Sequence, residues 1–268
     1  MFKQPSPLLV RSRDIWREPA PRGGQFSQLS LAPVPLPALA TRPFGVFCVD
    51  TVEPLVSLTF DDGPHPEHTP GILDVLAERQ ARATFFVLAS QAAENPDIVR
   101  RIAAEGHEVA LHGLDHTALT RLSDAQALQN IRQAKDLVEG IAQTEVKLFR
   151  PPYGKHTWRQ ALGIRRMGME LAIWSGHAWD WIDDETVVVA DRALQAVFPG
   201  AVLLLHDHRA DPEMLGDGER LPTFNKAEVL SHILDGLSQR NFGTVTAHEL
   251  LSNHRQVRSA LRDRMRRE

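Results

Sequence analysis

The chain has 268 residues, of which 43% are apolar and 24% charged, with a formal net charge of −4. This is the composition of a globular protein long enough for one large α/β domain, and the weak negative charge excludes a general attraction to nucleic acid or anionic membrane. A lone cysteine, Cys48, rules out an intrachain disulfide, and no apolar run is long enough to span a bilayer.

The first 43 residues carry Pro5, Pro7, Pro19, Pro21, Pro33, Pro35, Pro37 and Pro43 and little periodicity. Leu31 to Ala40 ends in an Ala-x-Ala pattern, but its three prolines and the polar segment before it argue against a signal peptide. Residues 1–43 are read as a Pro-rich arm, partly ordered against the domain, and the cytoplasm is the expected compartment. Two β-type runs follow, Phe44–Val49 and Leu55–Phe60, expected to pair as a hairpin. Thr69-Pro70 is expected to open a helix with Thr69 as its cap. Ala83–Leu88 reads as a strand, Asn95-Pro96 starts a helix, and Glu108–Leu111 is a short strand feeding His112. Ser123 caps a helix whose apolar face runs through Leu128, Ile131, Ala134, Val138 and Ile141.

Lys147–Phe149 is a strand ending at Arg150, and Met169–Trp174 one leading to Asp180. Helices are expected over 157–167, 184–197 and 226–237. Ala201–Leu205 is a strand ending at His206, Gly243–Thr246 a last strand, and Ala247 opens the last helix. Residues 255–268, with Arg255, Arg258, Arg262, Arg264, Arg266 and Arg267, read as an Arg-rich helix or tail exposed to solvent. Strands alternating with helices imply parallel strands and right-handed crossovers, with 44–254 as one domain. The polar loop 207–225 is long for such a fold, which points to function.

The strand ends carry the chemistry. They bear Asp61-Asp62, His112, Arg150, Asp180 and His206, and in βα folds such ends gather at one face. Successive strand side chains diverge, so Asp61 and Asp62 suit two different jobs, one holding a metal while the other takes a proton. A solvated Asp-Asp-Gly turn has the same sequence. His112 and His116, at i and i+4, fall on one face of a helical turn and can share a metal, with Asp62 as a third ligand. Two imidazoles and one carboxylate leave open coordination positions, as a catalytic ion requires; the same set serves non-haem iron, usually on a different fold. Pro151 and Pro152 stiffen the backbone around Arg150 and Tyr153. Trp174, Trp179 and Trp181 surround Asp180, as core packing or as a sugar-stacking wall.

Taken together, Thr59-Phe60-Asp61-Asp62-Gly63, His112-x-x-x-His116, Arg150-Pro151-Pro152-Tyr153, Asp180-Trp181 and Leu204-x-His206 resemble, in order, the five motifs of the polysaccharide deacetylase family, also called carbohydrate esterase family 4. The resemblance runs from about Leu55 to Thr246. It implies an α/β fold, a distorted (β/α)7-type barrel forming a single catalytic domain. It also implies a hydrolase that removes N-linked, or O-linked, acetyl groups from an acetylated oligo- or polysaccharide. By the same resemblance Asp61 is the general base, oriented by Arg150, and Asp62, His112 and His116 hold one divalent ion, zinc being expected and cobalt or another ion the alternative. The Tyr153 N–H helps hold the oxyanion, His206 is the general acid with Asp180 beside it, and Trp181 and Leu204 contact substrate. Two positions depart from the pattern. Gly113 replaces a Ser or Thr, and His177 replaces an Asp expected to hold Arg150. A same-fold amidase on a small non-sugar amide and a non-catalytic carbohydrate-binding relative are the rival readings.

Overall fold

The computed structural model describes residues 5–16, 25–31, 38–211 and 214–259. The chain opens with β1 (Leu8–Val10), α1 (Ser12–Ile15) and α2 (Ala38–Thr41), then β2 (Val46–Asp50) and β3 (Leu55–Asp61). Next come α3 (Thr69–Glu78), β4 (Ala83–Leu88), α4 (Ala89–Glu94), α5 (Pro96–Ala104), β5 (Glu108–Gly113) and α6 (Asp124–Ala142). They are followed by β6 (Leu148–Phe149), α7 (Trp158–Arg166), β7 (Glu170–Leu171), β8 (Gly176–His177) and α8 (Thr186–Gln195). The last elements are β9 (Ala201–His206), α9 (Lys226–Gln239), β10 (Gly243–Thr244), α10 (Ala247–Asn253) and β11 (Arg255–Ser259).

The sheet runs β1-β11-β2-β9-β3-β4-β5-β6-β7, with β8 on β9 and β10 on β3. A single parallel bridge between Val46 and Ala172 brings the end of this path back to β2, so β2, β9, β3, β4, β5, β6 and β7 curl into a seven-strand distorted barrel. Strands β3, β4 and β9 are buried along nearly their whole length, as central parallel strands covered on both faces must be. The inside holds Val46, Val49, Phe86, Ala110, Leu148, Ala172 and Val202, joined by Ala247, Leu250 and Leu251 of α10.

Three expectations change. The hairpin between β2 and β3 does not form, because β9 lies between them, antiparallel to β2 and parallel to β3. Gly200 makes this possible. At φ +87° its N–H donates to Leu55 O (2.8 Å) and its carbonyl accepts from Val49 N–H (3.0 Å), while a Cβ there would fall 2.4 Å from Val49 O. Second, residues 255–259 are strand β11, antiparallel to β2 and parallel to β1, rather than an exposed helix or tail. Val257 is fully buried, and Arg258, 4% exposed, pairs with Glu170 at 2.8 Å. The edge of β2 needs a partner strand, and that need outweighs the charge pattern. The arginines beyond 259 lie outside the described residues. Third, α4 is an additional short helix between β4 and α5. The described part of the N-terminal arm around Phe26 packs on the domain: Phe26 is buried against Phe198, with its N–H on Asp50.

Glu108 on β5 is buried and accepts hydrogen bonds from Thr84 Oγ1 (2.8 Å) and His248 N–H (3.0 Å). Burial outweighs these bonds and raises its carboxyl to about 7. Because the folded value lies above the unfolded one, the protonated form stabilises the fold below about pH 4.5, and that contribution fades as pH rises through 7. Glu108→Gln is therefore expected to gain melting temperature relative to the parent at pH 8 and little at pH 4; thermal melts at both values check this.

Candidate active site

The expected strand-end residues converge at one mouth of the barrel. Asp61 and His206 are register partners on β3 and β9, Asp61 also faces Phe86 of β4, and Leu111 beside His112 pairs with Phe149 beside Arg150.

Arg150 is completely buried and sits at the centre of this mouth. It donates from Nη1 to Asp61 Oδ1 (2.6 Å) and Thr59 Oγ1 (2.8 Å), and from Nη2 to Ile173 O (2.8 Å). Its guanidinium lies 3.9 Å over the Phe86 ring, on the interior cluster. His177 was expected beside Arg150. Instead it pairs through β8 with Leu204 and packs on Trp179 and Trp181, with Asp180 and His206 as its charged neighbours. The carbonyls of Ala172 and Ile173, from the strand that closes the barrel, hold the guanidinium without a second carboxylate.

Asp62 is not a divergent strand residue. Its φ of +77° turns it back toward the mouth, so both carboxylates approach His112 Nε2, Asp62 at 3.3 Å and Asp61 at 3.7 Å. His112 Nδ1 lies 2.8 Å from Arg150 O, which fixes Nδ1 as the donor and leaves the Nε2 lone pair free. His116 Nε2 lies 3.3 Å from the same Asp62 Oδ1. The two histidines meet without a helical turn. His112 is the penultimate residue of β5, and Gly113 at φ +135° redirects the chain, where a Cβ would fall 2.9 Å from Asp115 O. A glycine at 113 therefore fits this turn. Asp62 Oδ1 is buried and has no hydrogen-bond partner among the described residues. A buried carboxylate oxygen without a partner, facing two imidazole nitrogens, fits a divalent cation. Burial opposes the charge on Asp62, but the His112 imidazole beside it, with His116 and His206 nearby, outweighs it and holds its carboxyl well below the usual range.

His206 Nδ1 lies 2.9 Å from Asp180 Oδ1, and its N–H donates to Asp180 Oδ2 (2.6 Å). Burial disfavours imidazolium, but the charge and hydrogen bond of Asp180, with Asp62 and Asp61 beyond, raise His206 to about 9. Lys226, from the start of α9, reaches the Asp180 carbonyl and stands 3.9 Å from its carboxylate. Trp181 meets the His206 ring edge-on at 5.5 Å, and Trp179 is 45% exposed beside it. Leu204 is buried two residues before His206, on the same face of β9.

Tyr153 adopts φ +58°, and the bonds of its turn run from Gly154 N to Pro151 O and from Lys155 N to Pro152 O, leaving the Tyr153 N–H outside them. The tyrosine hydroxyl donates to Asp211 Oδ2 (2.8 Å), and Ala210 N–H donates to Asp62 Oδ2 (3.1 Å). Residues 209–211 thus strap the mouth from β9 to the turn after β6. Sequence reasoning missed Thr59, Lys226, Asp207 and Asp211. Thr59 was visible as the alternate residue two before Asp61 on one strand face. Asp207 is buried behind Gly63 and accepts from Thr69 Oγ1 (2.6 Å), so Thr69 bridges loops instead of capping α3.

Residues 49–172 match the family model for polysaccharide deacetylases. A chitooligosaccharide deacetylase from Bradyrhizobium sp. is 34% identical, over 70% of this chain and 86% of its own. A peptidoglycan-N-acetylglucosamine deacetylase from Bacillus cereus is 31% identical, over 74% and 89%. The peptidoglycan-N-acetylmuramic acid deacetylase of Bacillus subtilis is 38% identical over 59% of this chain, which spans only 33% of that longer protein. Among solved structures, a peptidoglycan N-acetylglucosamine deacetylase in complex with 4-naphthalen-1-yl-N-oxidanyl-benzamide superposes with TM-score 0.68 at 28% identity, covering 78% of this chain and 93% of its own. The Bacillus subtilis peptidoglycan deacetylase superposes at 0.64 and 32%, covering 74% and 90%. The chain belongs to the polysaccharide deacetylase family.

Removing the guanidinium leaves Asp61 buried without its cation. Arg150→Met is expected to cost about 3–5 kcal/mol, and the double variant Arg150→Met, Asp61→Asn to recover part of it. Denaturant unfolding of the four proteins of this cycle measures the coupling.

Proposed function

We propose that the protein is a metal-dependent carbohydrate deacetylase, a hydrolase that cleaves the acetamide of an N-acetylglucosamine-type residue in an oligo- or polysaccharide. The observation that carries this reading is the unpartnered Asp62 Oδ1 facing the Nε2 atoms of His112 and His116, between Asp61 on one side and the His206–Asp180 pair on the other. The names of the relatives support a sugar substrate. The N-hydroxyamide of the ligand seen on one of them presents two oxygens, a chelating group for a divalent ion.

A divalent ion held by Asp62, His112 and His116, with zinc suited to this mixed donor set, supplies Lewis acidity at the acetyl carbonyl and acidifies water. Asp61 Oδ1 is engaged by Arg150, so Oδ2 takes the proton of the attacking water. The Tyr153 N–H donates to the developing oxyanion. An amine leaves poorly unless protonated. With Nδ1 of His206 bound to Asp180, Nε2 delivers that proton. Trp181 offers a stacking face for the sugar, and Leu204 an apolar wall for the acetyl methyl.

One observation favours a second reading, a same-fold amidase acting on a small non-sugar amide: the strap 209–211, bonded to both Asp62 and Tyr153, narrows the mouth. Acetate release from chito-oligosaccharides, peptidoglycan fragments and small N-acetyl compounds separates the two. A kcat/KM rising with sugar chain length supports the first, and a preference for the smallest amides supports the second.

Asp62→Asn and His112→Gln are expected to lose bound metal by elemental analysis, whereas Asp61→Asn keeps it and loses about 10²–10⁴ in kcat. Loss of metal from Asp61→Asn would mean that the two aspartates have exchanged roles. The proton on His206 is held by Asp180, so deprotonation sets the alkaline limb of the kcat/KM profile. Asp180→Asn removes the partner that favours imidazolium and is expected to move that limb to lower pH. A limb that does not move assigns the acid to another group.

A further inference from the structure

A second group of donors stands on the rim of the mouth, in the loop after β3. One ligand atom each of His65, Glu67 and His68 lies within 4.8 Å of the others. The His65 ring stacks on His68 at 4.7 Å and on His208, two residues after His206, at 4.5 Å. Ring packing alone accounts for the stacking but not for a carboxylate beside it, and neither His68 nor His208 uses a ring nitrogen in a hydrogen bond among the described residues. The loop is held by its own backbone. Thr69 N–H donates to His65 O (3.0 Å), His65 N–H donates to Thr69 Oγ1 (2.7 Å), and Leu88 N–H donates to Gly63 O (2.9 Å). The donors therefore need only side-chain rotation to close on a ligand, which keeps the ordering cost small.

We propose that His65, Glu67 and His68 form a second metal site, separate from Asp62, His112 and His116, with the stacked His208 ring fixing the orientation of His65. Two imidazoles with one carboxylate select borderline transition ions such as Zn2+ or Cu2+ over Mg2+ or Ca2+, which favour all-oxygen sites. The half-exposed rim position makes this ion more exchangeable than one at the buried cluster. Because His208 belongs to the segment that carries His206, an ion here ties the loop bearing Asp62 to the segment bearing the acid.

The test uses the full chain, stripped with chelator, dialysed against excess Zn2+ and assayed for metal per chain. The His65→Gln, His68→Gln double variant is expected to bind one zinc fewer than the parent. The Asp62→Asn, His112→Gln double variant is expected to keep the zinc that the first variant loses. Equal zinc in the parent and the His65→Gln, His68→Gln variant, with both folded by circular dichroism, overturns the proposal. A reading independent of that variant comes from Cu2+ added to the Asp62→Asn, His112→Gln protein. Nitrogen superhyperfine splitting from two imidazoles in its paramagnetic resonance spectrum is expected, and a spectrum without nitrogen couplings overturns the site. Failure of the primary cluster appears separately, as an Asp62→Asn, His112→Gln variant with the zinc content of the parent.

Discussion

The buried guanidinium of Arg150 is the constraint on which the mouth of this barrel depends. A cation with no solvent exposure survives only if its donors are satisfied and its charge is countered. Asp61 supplies the charge, Thr59 and the carbonyls of Ala172 and Ile173 take the remaining donors, and Phe86 supplies the face below. These partners come from three parts of the ring. Thr59 and Asp61 are on β3, Phe86 is on β4, and the two carbonyls belong to the segment that returns to β2. The guanidinium thus fixes the position of Asp61 and, through its own carbonyl, the tautomer of His112. Asp61 and His112 are oriented by opposite ends of one residue.

Much of this was legible in the sequence. The apolar runs ending in Asp61, His112, Arg150 and His206 placed these residues correctly, because parallel strands covered on both faces must be apolar until they emerge. The reasons were less reliable than the positions. Asp62 reaches the site by a left-handed backbone, not by strand alternation, and His116 by a turn at Gly113, not by a helix. Local spacing reports that two residues are near but does not specify the backbone that brings them together. The hairpin failed for a related reason. Neighbouring runs predict pairing unless a distant strand competes, and β9, 140 or so residues later, does so through Gly200. Carboxylates acting from outside a recognised pattern, such as Asp207 and Asp211, gave no sequence signal, since their roles depend on what the long loop touches.

The strap from Arg209 to Asp211 joins three parts of the mouth that the sequence kept apart. It donates to Asp62 Oδ2, accepts from the Tyr153 hydroxyl, and begins three residues after His206. The positions of Asp62 and Tyr153 are therefore set by one segment, and any change in this loop acts on both.

The pairing of β1 with β11 has a consequence for how the chain reaches this state. Among the described strands β1 pairs with β11 alone, and the two are about 240 residues apart. The pairing of β1 with β11 therefore waits until residue 259 has been made. Closing so long a loop before any contact rewards it is slow. The barrel can assemble around Arg150 first, and β1 and β11 are then laid down together beside β2.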